Sequence, residues 1–143
     1  MIFGLGEDRM TAVAETDDLQ KRRAELRRRE LLLILERWAP AYREVAGDSL
    51  GYVFEIAGAS EPEQAFLRAH VAEHGMPQVV GRTADEILEA GRRANAASSA
   101  AFLAGDFDKA RDLIDDARLY GALLDTEWVK LHQFIASQAA GAR

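Results

Sequence analysis

Two histidines one helical turn apart, His70 and His74, flank Glu73 and are the residues of this chain best spaced for chemistry. At i and i+4 on one helix face, two imidazoles can chelate a single divalent cation such as zinc. Glu73 and His132, the only other histidine, complete the candidate ligand set. The same residues also read as amphipathic packing, because Phe66, His70 and His74 form one i,i+4 row with Leu67 and Val71 beside it. A pH response is a further reading, since protonating both rings would place like charges one turn apart. His132, four residues after Trp128, reads as a buried, hydrogen-bonded core histidine.

The second feature is electrostatic. Between Gln20 and Arg29, six cations (Lys21, Arg22, Arg23, Arg27, Arg28 and Arg29) face one acid, Glu25. This stretch is either a solvated helix face or a surface for an anionic partner. The chain as a whole carries a net charge of −6, with 24 acids against 18 lysines and arginines, which argues against general nucleic-acid binding. Asp106, Asp108, Asp112, Asp115 and Asp116 lie along a helical pattern without the glycine and loop spacing of a calcium site, and read as a solvated face. There is no phosphate-binding Gly-Lys-Ser/Thr loop, no nucleophile elbow, and no histidine close in sequence to Ser98 or Ser99.

Helices must position these groups, and the chain is punctuated for helices. Ser60 with Glu63, and Thr83 with Glu86, have capping-box spacing. Gly75, Gly105 and Gly121 each stand just past an apolar-periodic run, and Asp106 and Asp125 follow as N-caps. The pattern predicts a first helix from Thr16 or Asp17 to Trp38, ended by Pro40, and a second helix beginning at Pro40. In the second, Gly51–Ile56 reads as helical or as a short extended piece. Four more helices follow: after Ser60 to Gly75, over Ala84–Ala104, over Phe107–Tyr120, and from about Thr126 to Ala139. Leu31–Leu35 is apolar right round the cylinder, so the first helix must be covered on more than one side, by a bundle or by a subunit interface.

Three stretches resemble known families. His70-Val71-Ala72-Glu73-His74 resembles the inverted zincin signature, which implies Glu73 as a general base; the match stops at those five residues. Ala104–Gly121 resembles the middle of a tetratricopeptide repeat, with Ala110, Ile114 and Ala117 at its alanine, large apolar and alanine positions. Ala94, Ala97, Ser98 and Ala101 replace that repeat's tryptophan, leucine, glycine and tyrosine, and no second copy follows, so the resemblance implies one antiparallel hairpin and no solenoid. RRRELLLILER is similar to the first helix of the all-helical chorismate mutases, which implies Arg37 as a carboxylate ligand. Gln20, and Asp48 or Ser49, stand where that family has its cations, so a dianionic substrate would have no clamp.

At 143 residues, 48% apolar and 29% charged, the chain has the size and composition of one globular domain. It has no cysteine, no leader pattern and no apolar run long enough for a bilayer, which predicts a cytoplasmic protein with no membrane partner. The predicted fold is an all-α, single-domain bundle of five to six helices with short loops, packed around Leu31–Leu35. Residues 1–15 are predicted to be a flexible or partner-dependent tail, and residues 16–140 the helical domain. The predicted function is a non-enzymatic, scaffold- or adaptor-like protein-interaction module, homodimeric, without cofactor. Its contacts would be Lys21, Arg22, Arg23, Arg27, Arg28, Arg29, Leu33 and Ile34. The alternative is a helical protein that binds zinc, another divalent metal or a small ligand through His70, Glu73, His74 and His132.

Overall fold

Six helices and no strand make up the described residues, which are 2–46, 49–78 and 81–141 of the computed structural model, with side chains described at 17–41, 49–78 and 81–141. They are α1 (Ile2–Ala46), α2 (Ser49–Ala57), α3 (Glu61–His74), α4 (Ala84–Leu103), α5 (Phe107–Leu119) and α6 (Asp125–Gly141). The all-α expectation and the helix number are met. No helix among the described residues is long and apolar enough to cross a membrane.

The local punctuation explains most of the boundaries. Ser60 caps α3 through a complete capping box: its Oγ accepts from the Glu63 N–H, and its own N–H donates to the Glu63 carboxylate at 3.0 Å. Asp106 caps α5 by accepting from the Lys109 N–H at 3.2 Å. Gly121, at φ 86°, turns the chain out of α5 in a Schellman motif: the Ala122 N–H reaches the Ala117 carbonyl and the Gly121 N–H the Arg118 carbonyl. The same bond pair closes α4 at Gly105 and α2 at Gly58. At Gly75 a single bond runs back to the Val71 carbonyl at 2.7 Å.

Other boundaries differ from the sequence expectation. The first helix does not begin at Thr16 or Asp17, and it does not end before Pro40; α1 runs from Ile2 through Pro40 to Ala46. Adding residues to an already nucleated helix gains one hydrogen bond per residue ordered, so the glycines and mixed charges before residue 16 do not stop it. The side chains of that expected tail lie outside the described residues, as do those of Tyr42 and Val45. At Pro40 the missing N–H and the ring's clash with the carbonyl of Glu36 cost about 3 kcal/mol. Burial of Leu31, Leu35 and Ala39, an i,i+4 row leading up to Pro40, offsets that cost. The second helix starts at Ser49 and not at Pro40, and residues 51–56 are helical. Asp125 is the first residue inside α6 and not its cap; the Leu124 carbonyl accepts from Trp128, and the Leu124 N–H is held by Glu127.

The helices group into two compact units, Met1–Leu26 with Asp85–Arg143, and Arg27–Ala84. The first unit has a core of Leu26, Ala110, Ile114, Ala117, Trp128 and Ile135, with Ala94 and Ala101 from α4. The second has Leu31, Leu35, Ala39, Val53 and Leu67, so the core expected around Leu31–Leu35 is one of two. Leu32, Ile34, Trp38 and Phe66 pack against it. An apolar run that surrounds the helix is therefore covered to a large extent by α2 and α3 of its own unit.

In the first unit α4 runs back along α5 with small residues between them: Gly91, Ala94, Ser98 and Ala101 are buried on α4, Ala110 and Ala117 on α5. Ser98 satisfies its hydroxyl on the Asn95 carbonyl at 2.6 Å. The closest approach is at Gly91, where an added Cβ would lie 2.9 Å from the Tyr120 Cβ and 3.0 Å from the Ala122 Cβ. Both atoms are fixed to backbone and cannot swing away. Gly91→Ala gains about 1 kcal/mol of helix propensity, but overpacking a closed seam costs about 1–3 kcal/mol. The steric effect wins, and urea melts are expected to show a net loss of stability. A stabilised variant would mean that the α4–α5 seam opens without cost.

Candidate functional site

Three stripes of polar residues meet in the first unit. On α5, one step round from the buried Ala110, Ile114 and Ala117, lie Arg111, Asp115 and Arg118. On α1, Asp18 and Arg22 are one turn apart, and on α6 so are Trp128 and His132. Asp115 is their centre. Its Oδ1 accepts from Trp128 Nε1 at 2.8 Å and from His132 Nε2 at 2.7 Å, while its Oδ2 accepts from Arg22 Nη1 at 2.6 Å. Asp115 and His132 are buried and Trp128 has no exposed surface. Burial pushes the Asp115 carboxyl up, but the bonds from His132 and Trp128 and the charge of Arg22 outweigh it and hold the group below the ordinary carboxylate range. Arg22 also reaches Asp18 at 3.3 Å and Asp112 at 3.4 Å, and Arg111 is paired with Asp18.

A second layer encloses Trp128. The guanidinium carbons of Arg23 and Arg118 lie 5.2 and 5.0 Å from its ring centroid, in the range of cation–π attraction. Asp125 bridges the two arginines at 3.0 and 2.8 Å. The His132 ring meets the indole edge-on at 5.0 Å. Asp115 was expected on a solvated face with its neighbouring aspartates; the structure corrects this by burying it under three donors. The signal available in the sequence is the Arg111-Asp115-Arg118 stripe alongside a small-residue face, together with Trp128 and His132 at i,i+4.

An aspartate bonded to one nitrogen of a buried imidazole is two-thirds of a nucleophile-activating relay. The relay requires a hydroxyl, thiol or amine within reach of the other nitrogen. The cleft beside His132 is lined by Asp18, Leu19, Arg111, Gln133 and Ala136, none of which is a nucleophile of that kind. The arrangement binds three helices together through buried charge.

The His70 and His74 rings adjoin at 4.5 Å between centroids, tilted by 42°, and His74 Nε2 lies 3.7 Å from Glu73 on an exposed face. His132 belongs to the other unit, with Nε2 committed to Asp115. Among the described residues no group of three or more histidines, aspartates and glutamates is placed to hold a metal ion.

The basic stretch is largely engaged. Arg22 and Arg23 are held in the first unit as above. In the second unit Arg27 binds Glu63 at 2.7 Å, Glu30 at 2.8 Å and the Ala57 carbonyl at 2.7 Å. Arg28 and Arg29 are not free either, while Lys21 is exposed. Leu33 and Ile34 are half-buried. The hydrogen bond from Arg27 and those from the Ser60 end of α3 lower the Glu63 carboxyl from 4.5 to about 2. A depressed carboxyl contributes its stability above its ordinary pKa and loses it as the pH falls towards the folded value. Stability is therefore expected to fall between roughly pH 5 and pH 2, and Glu63→Gln to flatten that limb in acid titrations followed by circular dichroism. An unchanged acid limb would mean that the Arg27–Glu63 pair is dispensable.

Large apolar side chains also remain on the surface. Leu103 at the end of α4 is 84% exposed and Phe134 on α6 is 51% exposed. The Phe102 ring lies 5.4 Å from Phe134 and 5.6 Å from Phe107, so three aromatic rings adjoin at the α4–α5 turn, with Leu103 next in sequence to Phe102. No protein-family profile, curated protein or solved structure matches the chain.

Proposed function

We propose that this chain is a non-enzymatic protein-interaction module that self-associates as a homodimer through the apolar surface at the α4–α5 turn. The observation that carries this reading is the contiguity of Phe102, Phe107 and Phe134 beside the exposed Leu103. Single exposed apolar residues are ordinary, whereas adjoining ones mark contact surfaces. The rim carries both signs of charge, with Asp106, Asp108, Lys109 and Lys130 all exposed. A surface of mixed charge around an apolar centre can pair with its own two-fold image. The contacts expected at Leu33 and Ile34 give way to this patch because α2 and α3 cover much of their surroundings. The same reading takes the α4–α5 hairpin as a single tetratricopeptide-like unit whose turn presents the contact.

Light scattering tests it. The expected mass is near twice the 15.8 kDa of the monomer. Leu103→Glu combined with Phe134→Glu should return it to the monomer value with helical circular dichroism unchanged, since both side chains are mainly in solvent. A wild-type monomer at high micromolar concentration would overturn the homodimer, and a dimer that survives both glutamates would overturn the patch.

A further inference from the structure

Two buried nitrogens in the wall of one small cleft have no hydrogen-bond partner among the described residues: Arg111 Nε and His132 Nδ1. Buried polar groups are nearly always satisfied, so a pair of exceptions on the same cleft is informative. His132 is 2% exposed. Leu19 and Ala136 form the apolar part of the wall, and Gln133 stands exposed at its rim.

We infer that this cleft is the binding site of a single ordered water, which accepts from Arg111 Nε and donates to His132 Nδ1. Size comes first: the cleft offers about 20 Å³ to a water-sized ligand, which is room for one water. Hydrogen-bond polarity limits it next. The Arg111 nitrogen can only donate. With Nε2 held 2.7 Å from the Asp115 carboxylate, the single-proton tautomer that serves this bond carries its proton on Nε2 and its lone pair on Nδ1. The ligand must therefore accept at one point and donate at another. Charge supplies the third limit: Asp18 in the wall disfavours an anion, and Arg111 disfavours a cation. Water meets all three conditions, and its second proton can go to Asp18 or Gln133. Bound there, it locks the imidazole in the tautomer that serves Asp115 and extends the buried network to the surface.

Long-range ¹H–¹⁵N spectra of histidine-labelled protein, recorded in neutral to mildly alkaline buffer together with water NOE and ROE experiments, test the inference. The expected result is His132 protonated at Nε2 only, with a long-lived water contact at its ring. Ala136→Val fills the cleft and should abolish that contact. An Nδ1-protonated or doubly protonated ring, a ring with no water contact in the wild-type protein, or a contact that persists in Ala136→Val would each overturn the site. The wild-type spectra decide the matter even if the variant does not fold.

Discussion

Asp115→Ala is expected to destabilise the protein by about 3–5 kcal/mol in urea melts, the range for removing one partner from a buried charge pair. The carboxylate satisfies three donors at once, and its loss leaves the Trp128 N–H and the His132 Nε2 with nothing to bond. Arg22 keeps Asp18 and Asp112, so its charge is not abandoned, and the cost lies in the buried neutral donors as much as in the ion pair. Asp115→Asn retains the volume and one acceptor oxygen but removes the charge that favours Arg22, and should cost less, about 1–3 kcal/mol. Asp112→Ala is the control: that side chain is 76% exposed at 3.4 Å from Arg22, and exposed pairs contribute about 0–1 kcal/mol. If Asp115→Ala and Asp112→Ala proved equal, the buried network would have no energetic role.

Trp128→Ala should be as damaging, at about 3–5 kcal/mol for a large aromatic truncated in a closed core. Its effect has two separable parts. The ring fills the space between α5 and α6 and offers a face to each of Arg23 and Arg118; its N–H supplies Asp115. Trp128→Phe keeps an aromatic face and loses the donor, so it isolates the second part at about 1–2 kcal/mol. Because Trp128 and Asp115 bond directly, Trp128→Phe combined with Asp115→Asn should cost less than the sum of the two, with a coupling of roughly 0.5–3 kcal/mol. Strict additivity would show that the 2.8 Å contact carries no energy.

How far these features could be read from the chain depends on the distance over which their causes act. The Ser60–Glu63 box and the Asp106 cap are local, since side chain and backbone partner lie three residues apart, and both are found where the sequence puts them. The inward faces of α4, α5 and α6 follow from periodicity, and so does the burial of His132. Pro40 misled because its penalty is local while the compensation, the burial of Leu31, Leu35 and Ala39 against Val53 and Leu67, comes from residues remote in sequence. Asp115 misled for the same reason. In sequence it is one aspartate among five; its donors come from Arg22, 93 positions earlier, and from α6. The cations of α1 looked like a surface because their acids, Asp115, Asp125 and Glu63, lie far along the chain. His70 and His74 share a face as the spacing requires, and among the described residues no group of three or more candidate ligands is placed to hold a metal ion.

The division into two units has an optical consequence. The chain contains two tryptophans, and the boundary between Leu26 and Arg27 leaves one on each side: Trp128 in the first unit and Trp38, packed on the Leu31–Val53 core, in the second. Each unit thus carries its own intrinsic fluorophore, in surroundings different enough to tell apart. Trp128 is sealed between two guanidinium groups and beyond the reach of a dissolved quencher such as iodide, whereas Trp38 is half-buried beneath Arg37. Replacing Trp38 with phenylalanine would leave emission that reports on the first unit alone, and the melting of that unit could be followed without attaching any label to it.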